Sequence, residues 1–149
     1  MIKTRLLVIM LTISLPVISQ SKTDDFTLIS TTIQNYYNGY IERDIDKLST
    51  AFDTEYGTME VPVDDKNSSK GYKNVYFKDL IPKWGNREKL PESELNNCVL
   101  HILNIDIEAG NIASAKMSMK VGDVTYIDML SLHNINGAWK ITNTIYYVK

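Results

Sequence analysis

From Asn97 to Val148, apolar and polar residues alternate with the two-residue period of β-strands. Turn residues interrupt the pattern at Glu108-Ala109-Gly110-Asn111, at Gly122-Asp123 and between Asn134 and Gly137. The pattern predicts four strands, Asn97–Ile107, Ile112–Val121, Val124–His133 and Ala138–Val148, joined as an antiparallel meander. In the second strand Ala113, Ala115, Met117, Met119 and Val121 share one face, while Ser114, Lys116, Ser118 and Lys120 share the other. In the third strand Asp128 falls in the register of Tyr126, Leu130 and Leu132, on a face that should be apolar. An unpaired buried carboxylate costs several kcal/mol, roughly, so this one has to be protonated, partnered, or on the wall of a wet cavity. In the first strand His101 shares a face with Val99, Leu103, Ile105 and Ile107. That register leaves Leu100 and Ile102, together with Ile127 and Met129, on the outer surface of the sheet.

The upstream half has helical spacing. Phe26, Ile29, Ile33, Tyr36, Tyr37 and Tyr40 predict an amphipathic helix that starts through the capping oxygens of Thr23-Asp24-Asp25. A short second helix should follow Asp44 as N-cap, with Ile45, Leu48 and Phe52 on one side. Tyr56–Val63 reads as a strand ended by Pro62, pairing at the edge of the meander, and Asp64–Gly71 as a polar loop. Tyr72, Val75, Tyr76 and Leu80 suggest a third helix interrupted near Pro82, and Gly85–Asn97 reads as loop. Three N-terminal helices cannot cover such a sheet completely. The expected fold is therefore α+β, with the first helix laid across the concave face of a strongly curved, mostly antiparallel sheet that encloses a conical cavity.

Lys3 and Arg5 precede an apolar run from Leu6 to Ile18, and Ser19 offers a small residue for cleavage, the layout of a secretory signal peptide over residues 1–19. The run is short of the roughly 20 residues of a membrane-spanning helix, so export to the periplasm or the medium is expected, with no stable membrane insertion after cleavage. Residues 20–149 then form a single domain. Loss of Lys3 and Arg5 takes the charge from −2 to about −4. With no basic cluster standing out, nucleic acid and anionic membrane are poor partners. Cys98 is the single cysteine, so no intrachain disulfide forms, and it reads as a half-buried strand residue.

The order of elements resembles the nuclear-transport-factor-2-like superfamily of cystatin-like α+β cones, and within it the exported lumazine-binding group. The segments that carry the resemblance are Tyr36–Asp44 (YYNGYIERD), Asp106–Ala115 (DIEAGNIASA), Tyr126–Leu132 (YIDMLSL) and Gly137–Ile141 (GAWKI). More distantly the chain is similar to ketosteroid isomerase and SnoaL-like proteins. That likeness implies Tyr36 as a hydrogen-bond donor, Glu60 as a carboxylate base and Asp128 as a neutral carboxylic acid facing the developing oxyanion. Two departures stand against it: glutamate replaces aspartate as the base, and Val61 intervenes before Pro62.

Each candidate also has a plain structural reading. Tyr36 and Tyr40 can be core aromatics of the helix, Glu60 a solvated strand-end carboxylate, Asp128 a hydrogen-bonded structural aspartate, and His101 a satisfied core histidine. Trp84 can cover a cavity mouth or simply pack. No Gly-rich phosphate loop, nucleophile elbow or paired-cysteine motif is present, and His101 and His133 lack ligand spacing, so neither cofactor nor metal is expected. The leading expectation is an exported protein holding a small apolar or aromatic molecule against Tyr36, Tyr40, Trp84, His101, Met117, Tyr126 and Asp128. The alternatives are a proton-transfer enzyme, isomerase or dehydratase, built on Tyr36, Glu60 and Asp128, and a protein-interaction module. The apolar outer sheet face favours a homodimer through the sheet.

Overall fold

A computed structural model describes residues 18–64 and 70–149, with side chains from Asp24 onward. The expected leader lies outside these residues apart from its last two positions. The elements follow the chain as α1 (Ile18–Glu42), α2 (Ile45–Ala51), β1 (Thr58–Pro62), β2 (Tyr72–Tyr76), α3 (Phe77–Gly85), α4 (Glu92–Leu95), β3 (Val99–Glu108), β4 (Ile112–Val121), β5 (Val124–Ile135) and β6 (Ala138–Val148). The six strands form one sheet in the order β2-β1-β6-β5-β4-β3. Every pairing is antiparallel except β1 with β6. The architecture is the anticipated α+β cone, helices against one face of a curved sheet.

Helix α1 buries Ile29, Ile33, Tyr36, Tyr37, Tyr40 and Ile41, a stripe at the 3.6-residue period. Phe26, expected in that stripe, is 51 % exposed. The helix also begins before the expected Thr23–Asp25 cap. Asp25 instead accepts a hydrogen bond from Trp139 Nε1 at 3.0 Å, and Thr32 Oγ1 donates to the Trp139 carbonyl at 3.0 Å, so two bonds fasten α1 to β6. Asp44 caps α2 as expected, accepting from the Lys47 amide at 3.0 Å. Leu48 and Phe52 are buried, whereas Ile45 is 40 % exposed.

The segment Tyr72–Tyr76 is a strand, contrary to the expected helix. Its Tyr and Val residues favour extended backbone, and its hydrogen-bonding partner β1 lies ten or more residues upstream, beyond any local pattern. The third helix starts at Phe77 and buries Phe77, Ile81 and Trp84. It runs through Pro82 without interruption, because burial of that stripe outweighs the one backbone bond that proline cannot make. The predicted loop before β3 contains one helical turn, α4, entered through Pro91.

The meander has the expected four strands with two register irregularities, one between β5 and β6 at Ser131/Leu132 and one in β3 that changes the expected faces. A bulge between Ile102 and Asn104 shifts β3 against β4. Leu100 and Ile102 before the bulge, and Ile105 and Ile107 after it, all pack against the core. Val99, His101 and Leu103 consequently face outward. The core lies between α1 and the concave sheet face, where Ala113, Ala115, Met117, Met119, Leu130, Leu132, Trp139 and Ile141 are buried.

Candidate functional site

The helices leave the β1, β5 and β6 end of the concave face uncovered. There the structure has a cavity of about 1160 Å³ whose inner wall is formed by Tyr36, Tyr40, Trp84, Met119, Tyr126 and Asp128. Tyr36 and Tyr40 come from the same face of α1, one turn apart. Trp84 is presented by the buried stripe of α3, and Asp128 and Tyr126 by the inward register of β5.

Asp128 is 1 % exposed. Its Oδ2 accepts a hydrogen bond from the Tyr36 hydroxyl at 3.0 Å. Burial raises the Asp128 carboxyl from the ordinary 3.8 to about 7, and the Tyr36 bond, which favours the charged form, opposes that rise. Burial first, and the nearby Asp128 charge second, hold the Tyr36 phenol well above its ordinary range. Near neutrality the pair therefore keeps the phenol protonated while the carboxyl exchanges its proton.

Aromatic rings surround this pair. Trp84 lies over Tyr36 with centroids 6.3 Å apart and planes at 26°, and Phe52 meets Tyr36 edge-on at 4.8 Å. Tyr40 contacts Trp84 edge-on at 5.7 Å and Tyr126 at 6.1 Å. Arg87 Nη1 donates to the Tyr40 hydroxyl at 2.6 Å. Its guanidinium also sits 5.5 Å from the Tyr40 ring centroid. Burial and the neighbouring Tyr40 push the Tyr126 phenol up to about 12, with the Arg87 charge acting the other way.

Of the residues singled out from sequence, Tyr36, Tyr40, Trp84, Tyr126 and Asp128 come together on this wall. Met117 does not reach it. It pairs across strands with Asp128 but is fully buried in the core beneath. The β3 bulge turns His101 to the exposed face, away from the cavity. Glu60 is also displaced: Met59 points inward at 5 % exposure, so its strand neighbour Glu60 points outward. There Glu60 borders a shallow depression with Lys116, Ile127, Met129, Ile145 and Tyr147. Glu60 therefore cannot share a substrate with Asp128 as the base of the ketosteroid-isomerase arrangement.

Arg87 and Met119 were not anticipated as site residues. Met119 was legible as an inward position of β4, while Arg87 follows α3 in a stretch without periodicity. Among the described residues no group of three or more His, Cys, Asp or Glu could hold a metal ion.

Residues 24–147 match the family model described as "Putative lumazine-binding". Among solved structures the chain is similar to an NTF2-like protein of unknown function from Shewanella baltica OS155, at 21 % identity and TM-score 0.70, covering 85 % of this chain and 95 % of that one. A second NTF2-like protein of unknown function, from Methylobacillus flagellatus KT, matches at 24 % identity and TM-score 0.67, covering 85 % and 93 %. A "Putative Scytalone Dehydratase" from Novosphingobium aromaticivorans matches at 11 % identity and TM-score 0.63, covering 89 % of each chain. These likenesses establish the cone fold. No protein of curated function matches the sequence.

Proposed function

We propose, because this chain belongs to the family described as "Putative lumazine-binding", that it holds a small, largely apolar, flat molecule in the cone cavity. The observation that carries this reading is the buried Tyr36–Asp128 pair on the wall of an aromatic-lined space with room for a ligand. Trp84, Tyr40 and Tyr126 offer ring faces and edges for a planar body. Asp128 offers a hydrogen-bond acceptor when ionised and a donor when protonated, so it anchors a carbonyl, hydroxyl or ring N–H at the inner end.

The test is a thermal-shift and calorimetric screen of planar heterocycles, a lumazine among them, and of aromatic and alicyclic ketones. A ligand at 100 times its Kd stabilises the protein by about 2.7 kcal/mol. Binding should weaken at least tenfold in Asp128→Ala and in Trp84→Ala. A screen in which every hit binds those variants as tightly as the wild type would refute the site.

A second reading is favoured by the same carboxyl. A group that exchanges its proton near pH 7 on the aromatic inner wall of a cavity can itself act as general acid or base, without Glu60. Proton transfer at a carbon next to a bound ketone would appear as deuterium incorporation in NMR, absent in Asp128→Asn. Equal incorporation by both proteins would end that reading.

Two further properties belong to the proposal. Cleavage after Ser19 exports the protein, and mass spectrometry of the secreted or periplasmic fraction should find its N-terminus near Gln20. Met129, Ile145 and Tyr147, at 47 %, 45 % and 68 % exposure on the outer sheet face, pack against a second copy. Light scattering should give a dimer mass, reduced to the monomer by Met129→Lys.

A further inference from the structure

The charges around the cavity are not those of the chain as a whole. The protein carries a net charge of −2. The cavity, however, is bordered by Lys70, Lys73, Lys83 and Arg87, with Asp64 and the deeply buried Asp128 as its carboxylates. Lys70 is matched by Asp64 at 2.8 Å. Lys73, Lys83 and Arg87 make no ion pair among the described residues. Arg87 instead spends a hydrogen bond on a neutral phenol, Tyr40, which orients the guanidinium without neutralising it. Three cations without an ion pair among the described residues thus rim a cavity in an acidic protein, and such a rim concentrates anions at the opening.

The polar groups are also ordered in space. Tyr36 bonds Asp128 and Tyr40 bonds Arg87, and these tyrosines stand one helical turn apart on α1, about 6 Å of rise. Trp84 meets both tyrosines, its ring 6.3 Å from Tyr36 and 5.7 Å from Tyr40, and Tyr126 meets Tyr40 at 6.1 Å. The inner pole therefore suits a neutral hydrogen-bonding group, the outer pole a negative one, and the space between them a flat apolar body.

We propose that the cavity takes an organic anion, an aromatic or alicyclic carboxylate or sulfonate, whose charged group stays at the mouth against Arg87, Lys83 and Lys73 while its ring system lies inside. The inference rests on the ligand-holding reading above and adds the class of ligand. Arg87 suits the role because its planar fork can pair with two oxygens of one anion. The mouth location spares the anion full desolvation and keeps it apart from the carboxyl at the inner end.

The experiment compares two fluorescent dyes with the same aromatic body, anilinonaphthalene sulfonate and its neutral analogue phenylnaphthylamine. Each is titrated against the wild type, Lys83→Gln, Arg87→Gln, the double variant, and Val61→Trp, which fills the cavity from a half-buried position on its wall. Both substituted cations are exposed, so the fold should persist, as circular dichroism would verify. The sulfonate should bind the wild type about tenfold more tightly than the neutral dye, as three exposed ion pairs allow. That preference should shrink at high salt, fall in each single variant and fall furthest in the double variant, which keeps only Lys73, while the neutral dye loses less affinity than the sulfonate in all three. Equal affinity for the two dyes, or a preference undiminished in the double variant, would overturn the anion inference and leave the cavity reading intact. Failure of both dyes to bind the wild type, or undiminished binding of both to Val61→Trp, would overturn the cavity reading itself.

Discussion

The protonation of Asp128 should be visible in the stability of the whole protein. Its carboxyl is raised to about 7 in the fold from an ordinary 3.8, chiefly by burial. The native state therefore retains a proton through a pH range in which the unfolded chain has lost it. Stability falls wherever the native state binds more protons, so this contribution is fully present below about pH 4 and is lost as pH rises through about 7. At 1.36 kcal/mol per pH unit, a gap of about three units amounts to about 4 kcal/mol in all. About 2.5 kcal/mol of that falls between pH 5 and pH 8, because the folded carboxyl titrates near the top of that range. Asp128→Asn places a neutral group of the same shape beside Tyr36 and removes the titration. Urea unfolding followed by circular dichroism at each pH unit from 5 to 8 gives the difference in stability between wild type and variant, from which every other titrating group cancels. The wild type should lose about 2.5 kcal/mol relative to Asp128→Asn across the series. A difference that stays constant within about 0.5 kcal/mol would mean that Asp128 is charged and hydrated throughout, which would refute its enclosure.

Tyr36→Phe removes the hydroxyl that donates to Asp128; the carboxyl should rise further, and the variant should lose about 1–3 kcal/mol at pH 8 and clearly less at pH 5, read from the same unfolding curves. Glu60→Gln should leave ligand affinity and any deuterium exchange at wild-type values, since its side chain lies on the outer face; a change of more than about threefold, under 1 kcal/mol, would contradict that placement. Gly39→Ala should lower stability by about 2 kcal/mol despite the better helix propensity of alanine, because the added methyl would stand 2.8 Å from Leu48 Cγ and 2.9 Å from the Leu48 amide where α2 crosses α1. Differential scanning calorimetry would show the loss as a fall of several degrees in Tm.

Much of the molecule can be read directly from residue order. The meander, the buried stripe of α1, the Asp44 cap and the inward position of Asp128 all follow from local periodicity. A strand fixes which side chains share a face, and a helix does so at its own period, whatever packs against them. Tyr36, Tyr40, Tyr126 and Asp128 were therefore legible as candidates before any contact was known. Four other outcomes depend on partners distant in the chain. Tyr72–Tyr76 is extended because β1 supplies its hydrogen bonds, and its side-chain spacing fits a helix equally well. His101 points outward because one extra residue in β3 reverses the register, and a bulge leaves no mark in an apolar–polar pattern. The faces of β1 are assigned by its parallel pairing with β6, where Glu60 stands opposite the exposed Ile145, and this puts the carboxylate outside the cone. Arg87 reaches Tyr40 across 47 positions of chain, a contact made only when α3 folds back over α1. Periodicity is a property of neighbours along the backbone and is decided locally; a cavity, its charge and its chemistry are properties of neighbours in space.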